Sequence, residues 1–304
     1  MMISKSNQIQ LHYYFSDDSH GFDATVRNEC ERELLYLYHD VAATLGLKLL
    51  VQSEPSKEGG FVEFWKFIGE NSTQITLIVT AIAIILSRKP VENKKLTKLQ
   101  IENLELDNEL KKQELKNLQL KTLKDNQIDG DLIKRIVELL VLNYKVIWRR
   151  SNFYKKVANY KRIYKISEQR FDDAEPVGSD REISRNNFTN FILSSDDLPK
   201  NEIVEAKIDL ISPVLKSGNF LWKGFYNNDI ISFEMNHVSF KKMIQNGEVH
   251  LNNKVVLNTV LIQSRKIDEN GHIKITKSSV QLVIDYSINN IKYFTEEGKD
   301  YFTD

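Results

Sequence analysis

The first 60 residues carry the apolar pattern of a β–α–β unit. Residues 8–15 (QIQLHYYF) alternate and are rich in aromatic side chains, which predicts a strand. After Asp23, a residue type that caps helices, apolar positions recur every three or four residues from Val26 to Leu45, which predicts a helix that ends at Gly46. Residues 47–52 (LKLLVQ) predict a second strand. We therefore expect a small α/β head over residues 1–60.

A long apolar run follows. Asn71–Ser87 (NSTQITLIVTAIAIILS) contains 17 residues without a formal charge, and as an α-helix it covers about 26 Å, just short of a ~30 Å hydrocarbon core. Aromatic residues crowd its upstream side (61–68), and Arg88 and Lys89 follow it. The pattern predicts a short membrane-embedded helix within residues 61–89; a buried core helix and a central helix of an oligomer remain open. The positions assigned to the membrane interface or a pore are Trp65, Gln74, Thr76, Ile78, Thr80, Ile82 and Ile85.

Residues 90–126 have the composition of a long exposed helix. From Lys94 to Lys124 the chain contains no Gly or Pro and is about half Leu, Lys and Glu. A heptad register predicts coiled-coil self-association, and a single amphipathic helix on its own domain is the alternative. The core positions expected to mediate oligomerisation are Leu99, Asn103, Leu106, Leu110, Asn117 and Leu120.

Residues 130–170 predict an apolar helix followed by a basic and aromatic one. Tyr144–Arg170 carries nine Lys or Arg against Glu168 alone, a net charge of +8. Such a helix suits phosphates and unpaired bases, an anionic membrane surface, or a solvated basic face whose rings pack into a core. Residues 171–200 read as a linker. The residues predicted to bind a ligand here are Trp148, Arg149, Arg150, Tyr154, Lys155, Lys156, Lys161 and Arg162.

From residue 201 to residue 304 the pattern predicts β structure. About five strands with a short helix at Val238–Ile244, separated by turn signals such as Asn227-Asn-Asp229, indicate an antiparallel barrel or sandwich. Small barrels often bind oligonucleotides on one face, which makes this domain the second ligand-sensing candidate. The side chains assigned to that role are Trp222 and Lys223, with Phe225, Tyr226, Lys241 and Lys242 as further residues to test.

The composition and motifs point away from catalysis. The 304 residues have a net charge of zero, and the single cysteine, Cys30, excludes an internal disulfide. The sequence contains no phosphate-binding loop, dinucleotide fingerprint, HExxH or CxxC motif. Asp17, Asp18, His20 and Asp23 form a polar cluster that suits either a cation or, more simply, a solvated loop with a helix cap. We expect an α+β multidomain protein that is not an enzyme and needs no metal or cofactor.

The order of parts resembles that of bacterial anti-phage membrane effectors, in particular the channel-forming effectors of the Hailong system. The resemblance lies in a small head, the segment FVEFWKFIGENSTQITLIVTAIAIILSRKP, a coiled coil and a C-terminal β domain. It implies a homo-oligomeric ion channel in the bacterial inner membrane, with most of the chain cytoplasmic. It also implies that single-stranded DNA oligomers, made by a partner nucleotidyltransferase, hold the channel closed. No individual residue is transferred from the family.

These observations lead to a functional expectation. The chain is predicted to be a homo-oligomeric membrane effector in anti-phage defence, with a ligand-gated pore, whose C-terminal half senses a nucleotide or a single-stranded oligonucleotide. A tetramer is one option for its subunit number. A membrane-tethered coiled-coil adaptor that recruits a protein through the β domain is the rival. A soluble enzyme whose core helix imitates a membrane segment is a third possibility.

Overall fold

The chain folds into two compact units. The computed structural model describes residues 5–17, 21–54, 61–90, 128–214, 220–249 and 255–301. The units comprise Met1–Asp196 and Asp197–Asp304. The predicted coiled-coil positions, with Asp18 and His20 of the polar cluster, lie outside the described residues.

An antiparallel five-stranded sheet forms the N-terminal unit together with helices. In space the strands follow the order β2-β3-β1-β4-β5. The strands are β1 (Gln8–Phe15), β2 (Leu50–Glu54), β3 (Phe61–Ile68), β4 (Ile163–Asp172) and β5 (Glu175–Ser184). The helices are α1 (Ala24–Thr44), α2 (Ser72–Ser87), α3 (Gly130–Val141), α4 (Tyr144–Asn159) and α5 (Arg185–Phe188), with a 3-10 turn at Thr189–Phe191.

Local signals in the first 50 residues produce the predicted elements. Every second side chain of β1, from Ile9 to Phe15, is buried in the core of the unit. The Asp23 carboxylate accepts from the Thr25 and Val26 amides at 2.9 and 3.1 Å and so begins α1. Gly46 has φ of +65°, the left-handed conformation that ends helices. The predictions of β1, α1 and the following strand are confirmed.

Helix α2 corresponds to the apolar run and lies in the core of the N-terminal unit. Eleven of its sixteen residues are buried, and seven of these, all apolar, pack in one cluster with residues of β1, β3 and α3. Within the described residues, no helix combines the length and apolarity needed to cross a membrane. In the structure α2 is a buried helix of the N-terminal unit, and its embedding in a membrane stays a prediction. Composition alone does not separate the two, because both environments favour apolar side chains all round.

Six of the seven pore and interface positions are buried, and Gln74 is half-buried. Ile78, Ile82 and Ile85 are at most 1% exposed, and Trp65 stacks edge-on against Tyr38. The two threonines among these positions, Thr76 and Thr80, hold hydrogen bonds within the unit. The Thr76 hydroxyl oxygen accepts from the Ser6 amide at 3.1 Å, and the Thr80 hydroxyl oxygen accepts from Arg170 Nη1 at 2.7 Å. The backbone amide of Gln74 donates to the Asn71 side chain at 3.2 Å.

Two segments predicted as helix flank and linker are strands of the same sheet. The aromatic stretch upstream of α2 is β3, which pairs with β1 on one side and β2 on the other. Residues 175–184 of the expected linker form β5 at the sheet edge, where Pro176 is tolerated. The turn between β4 and β5 puts Asp173 and Ala174 at φ of 43° and 78°. Alanine rarely adopts this conformation, so the sequence carries no turn signal there.

The C-terminal unit is a barrel of mixed strand direction. The ring of the barrel follows the strand order β6, β7, β8, β10 and β9, and β9 pairs back with β6. Strand β11 pairs with the end of β10 in the antiparallel direction. Strands β8 and β10 run parallel, so the predicted barrel is observed but it is not purely antiparallel. The elements are β6 (Asp197–Ser212), β7 (Trp222–Tyr226), β8 (Asp229–Met235), α6 (Val238–Gln245), β9 (Val255–Ile267), β10 (Ile273–Ile288), β11 (Ile291–Phe294) and α7 (Glu296–Asp300).

Candidate ligand-binding site

The basic and aromatic helix α4 is mainly a structural element. Arg150 is 1% exposed, and its Nη1 donates to the carbonyl oxygens of Ile85, at 3.1 Å, and Lys89. The Tyr154 hydroxyl donates to the Leu86 carbonyl at 2.6 Å. The Ile85 and Leu86 carbonyls belong to the last turn of α2, where intrahelical partners are missing, and Lys89 lies just after the helix. Burial lowers the pKa of Arg150 to about 10, and its side chain does not reach the surface.

Trp148 and Arg149 are also buried, and their polar groups have acidic partners. Arg149 Nη1 lies 3.3 Å from a carboxylate oxygen of Glu33, and its Nε lies 3.7 Å from one of Asp40. The Trp148 indole donates to the Asp196 carboxylate at 3.0 Å. Trp148, Arg149, Arg150 and Tyr154 are therefore buried side chains of the unit in this structure, and their contact with a ligand stays a prediction.

Most of the remaining predicted cations are paired at the surface. Lys161 is exposed in the turn after α4. The other three form ion pairs that reduce the positive field of this segment: Lys155 with Asp196 at 3.2 Å, Lys156 with Glu29 at 2.8 Å and Arg162 with Asp17 at 2.8 Å. Asp17 and Asp23 thus have structural partners. Among the described residues no group of three or more His, Cys, Asp and Glu side chains is placed to hold a metal ion.

Trp222 lies inside the barrel. Its side chain is fully buried, with ring centroids 6.4 Å from those of Phe233 and Phe240. The next inward position is Gly224, where a Cβ atom would lie 2.4 Å from Ile208 and 2.8 Å from the Asp209 carbonyl. The missing side chain lets β6 and β7 approach closely. Trp222 is a buried side chain of the barrel in this structure, and its contact with a ligand stays a prediction.

The outer face of β7 and β8 presents an exposed aromatic and aliphatic pair. Phe225 and Ile230 are cross-strand partners, and they are 45% and 63% exposed. Lys223, two residues before Phe225 on the same face, is also exposed and lies opposite Ser232. On the other side of Phe225, its partner on β6 is Asp209. We call Asp209, Lys223, Phe225 and Ile230 the stacking face.

The charges of the stacking face are available to a ligand. Neither the Lys223 ammonium nor the Asp209 carboxylate has a hydrogen bond or ion pair with another described residue. The neighbouring Glu234 is neutralised by Lys277 at 2.8 Å. Residues 197–304 carry 13 Lys or Arg against 14 Asp or Glu, a net charge of −1. Within the stacking face, whose four residues are all described, a ligand meets the Lys223 ammonium, the Asp209 carboxylate and an apolar surface between them.

A serine, a histidine and a glutamate also meet in this unit. The His237 Nδ1 atom accepts from the Val283 amide at 3.0 Å, so the proton of the neutral imidazole is on Nε2. Nε2 lies 2.8 Å from the Ser239 hydroxyl and 3.3 Å from the Glu297 carboxylate. The Ser239 hydroxyl donates to Glu297 at 2.5 Å. Because Nε2 already carries a proton, it cannot accept one from Ser239, and the group lacks the base of a nucleophilic triad.

These contacts fasten the C-terminal segment to the barrel. The Thr295 hydroxyl donates to the Val283 carbonyl at 2.6 Å and accepts from the Gly298 amide at 3.0 Å. Side chains of His237 and Thr295 thereby replace the strand partner that β10 lacks between β8 and β11. Gly298 lies so close to β10 that an added Cβ would be 1.9 Å from the Ile284 carbonyl oxygen.

Comparisons with known proteins add no assignment. The chain matches no protein-family model, no curated protein and no solved structure. The geometry of the stacking face is therefore the available basis for a functional proposal. Of the four residues of the stacking face, Lys223 and Phe225 are candidates from the sequence alone, whereas Asp209 and Ile230 are not. The alternation of exposed positions on β6 and β8 is the signal that could have identified them.

Proposed function

We propose that the C-terminal unit binds a single-stranded oligonucleotide on the stacking face and that the protein is a ligand-sensing, non-catalytic one. The ring order, the parallel β8–β10 pair and the helix between β8 and β9 are the connectivity of an OB-fold barrel. Barrels of this kind bind oligonucleotides and oligosaccharides on the face of their second and third strands, here β7 and β8. The exposed Phe225 ring on that face is the observation that carries the proposal.

The chemistry of the face favours bases over other ligands of such barrels. A flat ring that is 45% exposed offers a base a surface to stack on, and each such contact contributes about 1–3 kcal/mol. Ile230 extends the apolar surface beside the ring. Lys223 is placed to neutralise one phosphate. A duplex, whose bases are already stacked and whose phosphates are the accessible part, gains little from one lysine.

Oligonucleotide binding on the stacking face retains the ligand-sensing part of the function predicted from the sequence. Channel formation and membrane attachment stay predictions, and the buried position of α2 gives them no support. A role as sensor within anti-phage defence stays a prediction as well. The oligonucleotide proposal does not depend on either of them.

The test compares two exposed phenylalanines in the full-length protein. Phe225→Ala removes the proposed stacking ring, and Phe294→Ala removes a ring of similar exposure (47%) on β11, away from β7 and β8. Fluorescence anisotropy with a labelled random-sequence single-stranded DNA of 12 nucleotides measures both affinities. We expect Phe225→Ala to weaken binding by about 5- to 150-fold and Phe294→Ala to leave it unchanged. Equal affinities of wild type and Phe225→Ala would refute the proposal.

A protein partner is the second candidate. Ile211, Phe225 and Ile230 are each 45–63% exposed, and the unit lacks the positive charge typical of nucleic-acid binding proteins. Ile211→Lys separates the two functions, because Ile211 belongs to this apolar patch but not to the stacking face. An added cation strengthens binding to an oligonucleotide, whereas it disrupts an apolar contact with a protein. Weaker oligonucleotide binding by this variant would count against the first proposal.

A further inference from the structure

Asp209 is the polar neighbour of the proposed stacking ring. It lies directly opposite Phe225 in the β6–β7 ladder, where Cβ atoms of facing residues are about 4.5–5.5 Å apart. The adjacent Ile208 is buried in the barrel, so the Asp209 side chain points outward like Phe225. Its carboxylate has no hydrogen bond or ion pair with any other residue that the structure describes. An acceptor without a partner therefore borders the ring on the β6 side.

A base that stacks on Phe225 brings its edge within reach of this carboxylate. An ionised carboxylate accepts hydrogen bonds and donates none. Guanine presents two adjacent donors on its Watson–Crick edge, N1–H and the N2 amino group, which match the two oxygens. Cytosine and adenine each present one amino group there. Thymine and uracil flank their N3–H with two carbonyl oxygens, which the carboxylate repels.

We propose that Asp209 is a specificity-determining residue that selects guanine, the base with two adjacent donors, for the position on Phe225. The inference rests on the proposed oligonucleotide function and refines it. Lys223 is placed along β7 from the same ring and contacts the adjoining phosphate. Since one free cation supplies little sequence-independent affinity, contacts to the base dominate the choice of ligand.

The experiment measures base preference rather than affinity alone. Probes are single-stranded DNAs of 12 thymidines and the same strand with one central guanosine or cytidine. We expect the wild type to bind the guanosine strand about 5- to 150-fold more tightly than the thymidine strand. Asp209→Asn should abolish this ratio while affinity for the thymidine strand stays equal or rises. The matched control is Glu202→Gln, which removes an exposed carboxylate from the same strand and should keep the ratio.

The outcomes distinguish this inference from the proposed function. Binding of all three strands with equal affinity would overturn the role of Asp209 and leave oligonucleotide binding standing. An equal loss of affinity for all strands in Asp209→Asn would show a structural role and would also overturn it. Absence of binding to every strand would refute the proposed function itself. A lost preference with retained thymidine binding supports both.

Discussion

Tyr154→Phe tests whether α4 caps the buried end of α2. The substitution removes one hydroxyl and keeps the ring, which is completely buried against Phe191 and Phe153. It leaves the Leu86 carbonyl without its 2.6 Å donor in the core. A buried acceptor that loses its partner costs about 1–3 kcal/mol. For a unit of this size, each kcal/mol lowers Tm by about 2–4 °C.

The assay is urea unfolding of the full chain, followed by far-ultraviolet circular dichroism. The described helices longer than eight residues lie in Met1–Asp196, so this signal reports mainly on that unit. Tyr164→Phe is the matched control, because Tyr164 is 46% exposed on the sheet face opposite the helices and should change stability by less than about 0.5 kcal/mol. If Tyr154→Phe is as stable as the control and instead binds oligonucleotides more weakly, α4 is a ligand surface and the capping argument is wrong.

Two further predictions concern other buried contacts. Burial and the neighbouring Glu31 raise the pKa of Glu63 to about 8, so the unfolded carboxyl ionises first as pH rises. Stability should therefore fall between about pH 4.5 and pH 8 by at most ~1.4 kcal/mol per pH unit, and thermal unfolding of Glu63→Gln at several pH values should show a flatter profile. Gly298→Ala should destabilise the C-terminal unit by about 1–3 kcal/mol because its Cβ meets the Ile284 carbonyl oxygen at 1.9 Å. Thermal unfolding checks this against Gly21→Ala, where nothing lies within 4 Å and no loss is expected.

Elements with a local signal could be predicted from the sequence. The strand at Gln8–Phe15, the helix capped by Asp23 and the barrel strands follow from periodicity and turn residues. Strand direction could not be derived, because β8 and β10 are joined in parallel through long-range pairing at Glu234 and Met235. The hairpin of β4 and β5 was not predicted from the sequence for a related reason. Its turn places Ala174 at φ of 78°, a conformation that tertiary pairing imposes on an unsuitable residue.

The stacking face was predictable in part. Along β7, Trp222 faces the barrel interior, whereas Lys223 and Phe225 face outward. A residue of this strand can contact a ligand on the outer face only if its side chain points outward. The sequence predicts Trp222 as a ligand contact because indole rings often stack on bases. Its ring is 0% exposed, whereas the smaller Phe225 ring is 45% exposed. Asp209 acquires meaning through its cross-strand neighbour, and that pairing is a property of the ladder rather than of the local sequence.

The apolar run and the basic, aromatic helix are parts of one packed interface. A helix as apolar as α2 that ends inside a protein leaves carbonyl oxygens that water cannot reach, so donors must come from another element. Helix α4 supplies them through the Arg150 guanidinium and the Tyr154 hydroxyl. A helix end in contact with water has no need of such buried donors. An apolar run and a pair of cationic and aromatic side chains 65 and 68 residues after it therefore form one packed interface, in which the second helix supplies the donors that the first helix lacks.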